Sequence, residues 1–340
     1  MAARRERPGL LVLAPDPLFR SFFDAGRRRR LGRSFRWTRS GVRTLTPSLR
    51  RTLAEADVLL TTWDSPRFGE DLPEIAPRLR MIAHCGGEVR GRFARALFTR
   101  LTITNAPGPM ARFVAELAVA FLLHAARNVD GYRQALRGRS NAVYERLHRF
   151  GALPDETILD RPVGLLGFGR IGRAIAGMLA PFGVRLLVHD PYVPAAVIRR
   201  QGGVPSSWRA LLRSRHLILA AGLTARTRGM LDRAALARLP DGATVINVAR
   251  GGLLDLRALT DEVRRGRLRC ALDVTDPEEP LPPRHPLRRL SGAVLTPHVG
   301  SAQREVRLRM ADEVLTDLER FLRGRPARNR VTARMLERMT

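Results

Sequence analysis

The chain has 340 residues, 44% of them hydrophobic and 27% charged, which is typical of about two globular domains and excludes a fibrous or disordered protein. Two cysteines, Cys85 and Cys270, are too few for a disulfide scaffold, and neither stands in a CxxC pair, so we expect no metal site. The formal net charge is +28, and all 60 basic residues are arginine, which predicts non-specific attraction to polyanions.

The arginines are spread along the whole chain and aromatic residues make up only 6%, so we expect no specific nucleic-acid partner. The tightest cluster, residues 27–30, is expected to be a solvated turn or helix end. No apolar run reaches the roughly 18 residues of a membrane span. The longest, 117–126, is interrupted by His124. We therefore expect a cytoplasmic protein with no membrane partner.

Short apolar runs alternate with helical patterns in the first hundred residues. Four strands are predicted, at 9–14, 56–62, 79–85 and 101–105. A helical pattern covers 46–56, and a long amphipathic helix is predicted over about 110–127, after Pro107 and Pro109. Strands that alternate with helices predict a parallel sheet. Residues 129–160 are polar and are expected to form connecting helices and loops.

The alternation restarts at Pro162. Six strands are predicted, at 163–166, 185–189, 216–220, 244–248, 269–274 and 293–296. Six strands with intervening helices are the number found in a doubly wound dinucleotide-binding domain. The tail, 301–322, is predicted to be one helix, which Gly324 and Pro326 end.

A GxGxxG motif follows the first strand of this second group, with Gly167, Gly169 and Gly172 as its glycines. The first glycine permits a tight turn, the second lets the backbone approach a pyrophosphate, and the third lets helix and strand pack closely. Asp190 ends the next strand, where an acidic residue binds the ribose hydroxyls and repels a 2′-phosphate. The pattern predicts a nicotinamide dinucleotide cofactor, with NAD favoured over NADP.

Three later strands each end in a residue suited to acid–base chemistry. Arg250 follows the fourth strand, Glu278 and Glu279 follow the fifth, and His298 follows the sixth. Ligands bind at the carboxyl ends of such strands. An arginine can hold a carboxylate and polarise a carbonyl, and histidine transfers protons near neutral pH. A neighbouring carboxylate favours the imidazolium form of histidine. We therefore expect these groups to converge beside the cofactor.

Four blocks of sequence together resemble the D-isomer-specific 2-hydroxyacid dehydrogenases. They are 163–173 with Asp190, INVARGG at 246–252, ALDVTDPEEP at 271–280 and LTPHVG at 295–300. Weaker matches are LRMIAHCGGEV at 79–89, NAPGPMARFVAE at 105–116 and LTARTRG at 223–229. The resemblance implies an α/β fold of two Rossmann-like, flavodoxin-like domains with doubly wound parallel sheets. It also implies a substrate domain of residues 1–104 and 301–340, with an NAD-binding domain of 105–300 inserted.

The resemblance also implies roles for individual residues. Arg250 and His298 fall on the catalytic arginine and histidine of the family. The acid lies five residues after Asp273, which selects Glu278; the family's Glu-Pro pair would select Glu279, which we keep as the alternative. Gly86 and Gly87 fall on the loop whose amides hold the substrate carboxylate. The cofactor contacts implied are Gly167, Gly169, Arg170, Ile171, Gly172, Asp190, Thr227, Val248, Ala249 and Asp273.

The function expected is hydride transfer between NAD and a 2-hydroxy or 2-keto acid in a homodimer that forms through the helix near 110–127. The identity of the acid stays open. Trp63 is expected either to close over the substrate or to anchor packing. Two alternatives remain: a non-catalytic NAD-sensing or corepressor-type protein on the same scaffold, and a polyanion-binding protein.

Overall fold

The computed structural model describes residues 7–137, 142–150 and 157–338. The chain divides into two compact units, Met1–Met110 with Ala302–Thr340, and Ala111–Ser301. We call these the first and second units. The second unit is thus an insertion into the first. Part of the predicted connecting region 129–160 lies outside the described residues, as do the chain ends 1–6 and 339–340.

The first unit contains a five-stranded parallel sheet in the order β2-β1-β3-β4-β5. Its strands are β1 (Gly9–Leu13), β2 (Arg36–Ser40), β3 (Val58–Thr61), β4 (Met81–His84) and β5 (Thr102–Thr104). The central strand β3 is buried at every position, which is why it reads as a continuous apolar run. Four strands were predicted, and the missed strand, β2, lies at an edge of the sheet.

The second unit contains a seven-stranded parallel sheet in the order β12-β11-β10-β9-β6-β7-β8. Its strands are β6 (Pro162–Leu166), β7 (Arg185–His189), β8 (Gly203–Pro205), β9 (His216–Leu219), β10 (Thr244–Asn247), β11 (Arg269–Leu272) and β12 (Ala293–Leu295). Leu217 and Leu219 pack in the core on one face, and Ile218 packs in the core on the other. The prediction of α/β units with parallel sheets is confirmed, and β8 is the one strand added.

The helices connect these strands. In chain order they are α1 (Asp16–Phe22), α2 (Ala25–Ser34), α3 (Pro47–Ala54), α4 (Leu72–Ile75), α5 (Leu97–Arg100), α6 (Gly108–Ala126), α7 (Val129–Ala135), α8 (Ala142–Phe150), α9 (Arg170–Leu179), α10 (Ala195–Arg200), α11 (Trp208–Leu211), α12 (Arg233–Leu236), α13 (Leu256–Arg264) and α14 (Arg304–Leu322). Single 3₁₀ turns occur at Ala180–Phe182, Gly251–Leu253, Pro286–Arg288 and Met335–Arg338.

The long helix α6 contains the point at which the chain passes from the first unit to the second. By length and composition it is the one helix among the described residues that could cross a membrane, although no such run was expected. Six of its residues pack in the core of the second unit: Val114, Ala115, Ala118, Phe121, Leu122 and Ala126. A buried core helix meets the same criteria of length and hydropathy.

The arginine cluster 27–30 lies within helix α2 and not in a turn or at a helix end. Arg27 forms an ion pair with Asp312 of α14, and Arg30 forms one with Glu319 of the same helix, both at 2.5 Å. The hydrogen bond with Asp312 raises the pKa of Arg27. Two of the four arginines therefore tie α2 to α14 within the first unit.

Candidate active site

The glycine-rich turn between β6 and α9 has the geometry of a phosphate-binding loop. Gly167 has φ +93°, and a Cβ there would lie 2.6 Å from the backbone of Ala221. At Gly172 a Cβ would lie 2.3 Å from the carbonyl oxygen of Gly167. At Gly169, which precedes the first residue of α9, a Cβ would meet nothing within 4 Å. Two glycines thus permit close packing, and the third leaves open space at the N-terminus of a helix, where a pyrophosphate fits.

Asp190 lies at the end of β7 and contacts the same turn. Its carboxylate accepts hydrogen bonds from the backbone N–H of Phe168, at 2.7 Å, and of Tyr192, at 2.9 Å. A carboxylate offers about four acceptor sites, so acceptor sites remain for the hydroxyls of a ribose. The structure therefore places the predicted acidic residue against the glycine turn, in a fixed orientation.

Arg250 follows β10 and begins the 3₁₀ turn Gly251–Leu253. Its guanidinium is half-buried and donates to the carbonyl oxygen of Ala249 at 2.7 Å. Beneath it, the buried side chain of Asn247 donates to the carbonyl oxygen of Arg250 and accepts from the N–H of Ala249. Asn247 therefore holds the backbone on both sides of the arginine's position. Sequence reasoning missed it, although an asparagine inside an apolar strand is a usable signal.

His298 and a glutamate lie side by side in the loops that follow two neighbouring strands, β12 and β11. The Nδ1 atom of His298 lies 2.9 Å from the Oε1 atom of Glu279, and the two side chains are 49% and 36% exposed. The prediction that Glu278 is the partner is wrong, and the alternative, Glu279, has that position. The backbone carbonyl of Glu278 instead accepts from the hydroxyl of Thr275, because the loop turns back on itself there.

Asp273 fixes the loop that carries His298. Its buried carboxylate accepts hydrogen bonds from the Thr296 hydroxyl and from the N–H groups of Val299 and Gly300, and its carbonyl accepts from the N–H of His298. His298 has φ +55°, a left-handed conformation that is unfavourable for a residue with a Cβ. Asp273 therefore acts as a positioning residue for the histidine. Its contact with a nicotinamide stays a prediction.

Close backbone approach brings the Arg250 turn against the glutamate loop. A Cβ at Gly251 would lie 2.1 Å from the carbonyl carbon of Thr275, so only glycine fits. The strands β10, β11 and β12 are neighbours in the sheet, and the loops that follow them carry Arg250, Glu279 and His298. The remaining predicted cofactor contacts lie at the same edge: Arg170 and Ile171 begin α9, Val248 and Ala249 follow β10, and Thr227 lies in the loop after β9.

The first unit carries the predicted substrate loop directly after β4. The carbonyl of Gly86 accepts from the N–H of Ala106, and the carbonyl of Gly87 accepts from the side chain of Asn105 at 2.7 Å. The N–H and C=O groups of a trans peptide point in opposite directions, so the N–H groups of Gly87 and Glu88 point away from these partners. Within the described ranges, neither amide donates to a protein acceptor. The loop therefore presents two free donors, which suit a carboxylate.

A buried histidine lies under this loop. The side chain of His84 is fully buried, its Nδ1 lies 2.9 Å from the Thr61 hydroxyl, and burial, aided by the charge of Arg92, lowers its pKa to about 3. A Cβ at Gly86 would lie 2.2 Å from its Nε2. His84 is therefore a neutral support for the loop. Burial also raises the pKa of the Cys85 thiol, which leaves that side chain protonated.

Trp63 is half-buried and packs against Phe22, with ring centroids 5.3 Å apart. Of the two roles expected for it, this contact agrees with the packing anchor. Among the described residues, no group of three or more histidine, cysteine, aspartate or glutamate side chains is placed to hold a metal ion.

The sheet order, the glycine turn and the acidic residue at the end of β7 define a dinucleotide-binding domain of the doubly wound class. The family model for "D-isomer specific 2-hydroxyacid dehydrogenase, NAD binding domain" matches residues 119–300. This chain belongs to that family.

Curated relatives and a solved structure are similar over most of the chain. A D-3-phosphoglycerate dehydrogenase of Mycobacterium leprae is 33% identical over 85% of this chain and 53% of its own. A glyoxylate reductase of Aeropyrum pernix is 33% identical over 83% of this chain and 85% of its own. An NADPH-dependent glyoxylate/hydroxypyruvate reductase of Sinorhizobium meliloti is 26% identical, with a TM-score of 0.74, over 96% of this chain and 98% of that one. The chain spans about half the length of the phosphoglycerate dehydrogenases it matches.

Proposed function

We propose that this chain is an oxidoreductase that transfers hydride between a nicotinamide dinucleotide and a 2-hydroxy or 2-keto acid. The observation that carries the proposal is the His298–Glu279 pair, held at the carboxyl edge of a sheet that also carries the glycine turn and Asp190. Proton transfer by a positioned histidine is the step that this pair is suited to perform. The family and the named activities of the relatives support the same class of reaction.

A bound cofactor would supply hydride in reduction and accept it in oxidation. In reduction, protonated His298 gives a proton to the oxygen that becomes the hydroxyl, and Glu279 stabilises the imidazolium until transfer. Arg250 polarises the carbonyl through its donor fork. In the substrate loop at Gly86 and Gly87, the free N–H groups of Gly87 and Glu88 hold the carboxylate. Reduction therefore needs His298 protonated and oxidation needs it neutral, so reduction should have the lower pH optimum.

The cofactor preference follows from Asp190. Its carboxylate is oriented against the glycine turn, where it would accept from ribose hydroxyls and repel a 2′-phosphate. Arg199 and Arg200 end the following helix and are exposed, so they could attract a phosphate. We expect NADH to bind more tightly than NADPH. Binding titrations of both cofactors to the wild type and to Asp190→Ala test this expectation. The substitution should reduce the difference in affinity between NADH and NADPH, or reverse it.

The reaction is tested by NADH consumption with glyoxylate, hydroxypyruvate and phosphohydroxypyruvate. A matched pair of variants, Glu279→Gln and Glu278→Gln, separates the ion-paired glutamate from its neighbour. We expect Glu279→Gln to lower turnover and change its pH dependence, whereas Glu278→Gln behaves as the wild type. A wild type that binds NADH and reduces none of these acids would favour the non-catalytic NAD-sensing alternative.

A further inference from the structure

An arginine of the first unit stands beside the substrate loop without an anionic partner. The Nε atom of Arg307, near the start of α14, is buried and has no hydrogen-bond partner. Among the described residues, no carboxylate lies within ion-pair distance of its guanidinium. Other arginines on or against this helix are paired, such as Arg309 with Glu305 and Arg27 with Asp312. A buried donor without an acceptor is costly, and so it points to a ligand that the protein alone does not supply.

Arg307 and the substrate loop lie next to the same aromatic ring. Its guanidinium lies over the face of Trp63, 6.0 Å from the ring centroid. The indole nitrogen of the same tryptophan lies 3.0 Å from the position that a Cβ on Gly86 would take. The guanidinium and the loop are therefore both next to the same indole ring. Stacking on Trp63 holds the guanidinium in place before any ligand arrives, which lowers the entropy lost on binding.

The surroundings of Trp63 carry excess positive charge. On the backbone side of this residue, Arg92 donates to the carbonyl oxygens of Trp63 and Ser65. The nearby carboxylate of Asp64 is already paired with Arg43 at 3.0 Å. Within the described ranges, neither Arg92 nor Arg307 forms an ion pair. The carboxylates of Glu88 and Asp64 partly offset the charge of Arg92, so Arg307 is the guanidinium left to meet a second anion.

We propose that Arg307 binds a second anionic group of the substrate, so that the preferred substrate is a 2-keto or 2-hydroxy acid with a further carboxylate or phosphate. This inference rests on the proposed function. The free amides of Gly87 and Glu88 are assigned to the carboxylate next to the reacting carbon, and the guanidinium, on the face of the same Trp63 ring, is assigned to the second anion. The planar guanidinium fork matches either a carboxylate or a phosphate with two parallel hydrogen bonds.

The test compares substrates of one and two anionic groups. Arg307→Met removes the charge and keeps the length of the side chain, Arg307→Lys keeps the charge without the fork, and Arg309→Met is the matched control on the same helix. Substrates are glyoxylate and pyruvate with one carboxylate, 2-oxoglutarate with two, and phosphohydroxypyruvate with a phosphate. The last two distinguish the source of the second anion. Thermal unfolding of each variant shows that it is folded.

We expect Arg307→Met to lower kcat/KM for the preferred dianion by about tenfold to a hundredfold, mainly through KM. The loss of kcat/KM for monoanions should stay below about threefold. For the dianion, Arg307→Lys should have a kcat/KM between those of the wild type and Arg307→Met, and Arg309→Met should have that of the wild type. An equal loss for both kinds of substrate, or a wild type that prefers monoanions, would overturn the proposal. Calorimetric titration with the same acids distinguishes a failure of the proposed function from a failure of the inference about Arg307. Arg307-dependent binding of a dianion without turnover contradicts the proposed function alone, and binding that ignores Arg307 contradicts this inference.

Discussion

The two units use the same alternation of parallel strands and helices to present different kinds of functional group. The loop after β4 in the first unit offers backbone amides, and its support, His84, is fully buried. The loops after β11 and β12 in the second unit offer side chains, and His298 and Glu279 are substantially exposed. The proposed function therefore assigns anion binding to the first unit and proton transfer to the second.

Both loops are held from beneath by buried polar side chains. Asn105 fixes the carbonyl of Gly87 in the first unit, and Asp273 fixes three groups of the His298 loop in the second. A buried polar group persists only where its hydrogen bonds are made, so each of these residues ties its loop to one conformation. The comparison teaches that the functional groups at the surface depend on polar residues in the layer below them.

The largest effect is expected from removal of His298, the proposed proton donor in the second unit. His298→Ala should lower turnover by about a hundredfold to ten-thousandfold, which is the contribution of a positioned acid or base. Steady-state kinetics with NADH and the best keto acid measure it. NADH affinity should be unchanged, and His285→Ala, in the same unit but outside the site, is the control. A loss of less than about tenfold would mean that another group donates the proton.

One glycine in each unit should respond differently to the same substitution. Gly86→Ala places a methyl group against the buried His84 ring, so it should destabilise the protein by about 1–3 kcal/mol, as overpacking does. Gly169→Ala meets no protein atom, so it should leave stability unchanged and weaken nucleotide binding. Urea unfolding and NADH titration measure the two effects.

Gly177→Ala provides the control for this pair. Gly177 lies in α9 and also faces open space, so alanine there should stabilise the helix by about 0.5–1 kcal/mol without changing NADH affinity. A Gly169→Ala variant that binds NADH as tightly as Gly177→Ala does would contradict the assignment of the turn to the pyrophosphate.

Substitution of the two supporting residues, Asp273 and Asn105, should change different kinetic constants, kcat for the first and KM for the second. Asp273→Asn replaces one of the two acceptor oxygens of the carboxylate with an NH2 donor, which cannot accept from the hydrogen-bond donors of the His298 loop. The substitution should therefore displace His298 and lower kcat by about tenfold to a hundredfold, since a displacement near 1 Å can cost that much. Asn105→Ala frees the carbonyl of Gly87, so it should mainly raise KM for the keto acid. Kinetics of both variants would refute this division of roles if each changed the two constants equally.

The class of fold was predictable because central parallel strands are buried on both faces and read as apolar runs. The two missed strands, β2 and β8, are edge strands. β2 has the sequence RWTRS and is largely exposed, and β8 is three residues long and ends in proline. An edge strand needs little apolar character and tolerates proline, so neither carries the signal that identified the others.

The site residues were predictable in type but not in pairing. Spacing from Asp273 selected Glu278, whereas the structure pairs His298 with Glu279, because which carboxylate faces the histidine depends on how the loop folds back at Thr275. Arg307 was missed for a related reason. Its position depends on a contact with Trp63, which is distant in the chain, and one arginine among 60 has no distinguishing pattern around it. Asn247 differs, because its hydrogen bonds are local and a polar residue in an apolar strand could have indicated it.

The last expected effect is a loss of stability in acid, and it should appear in both units. Burial lowers the pKa of His84 to about 3 and of His216 to about 4, below the value of about 6.5 for an unfolded chain. Between these values the unfolded state binds a proton that the folded state excludes, so stability is greatest above pH 6.5 and falls as the pH decreases. Each histidine contributes a slope of up to about 1.4 kcal/mol per pH unit. Urea unfolding from pH 7 to pH 4.5 should show this slope, with part of it removed by His84→Gln and part by His216→Gln. A slope that neither substitution changes would mean that other groups control acid stability.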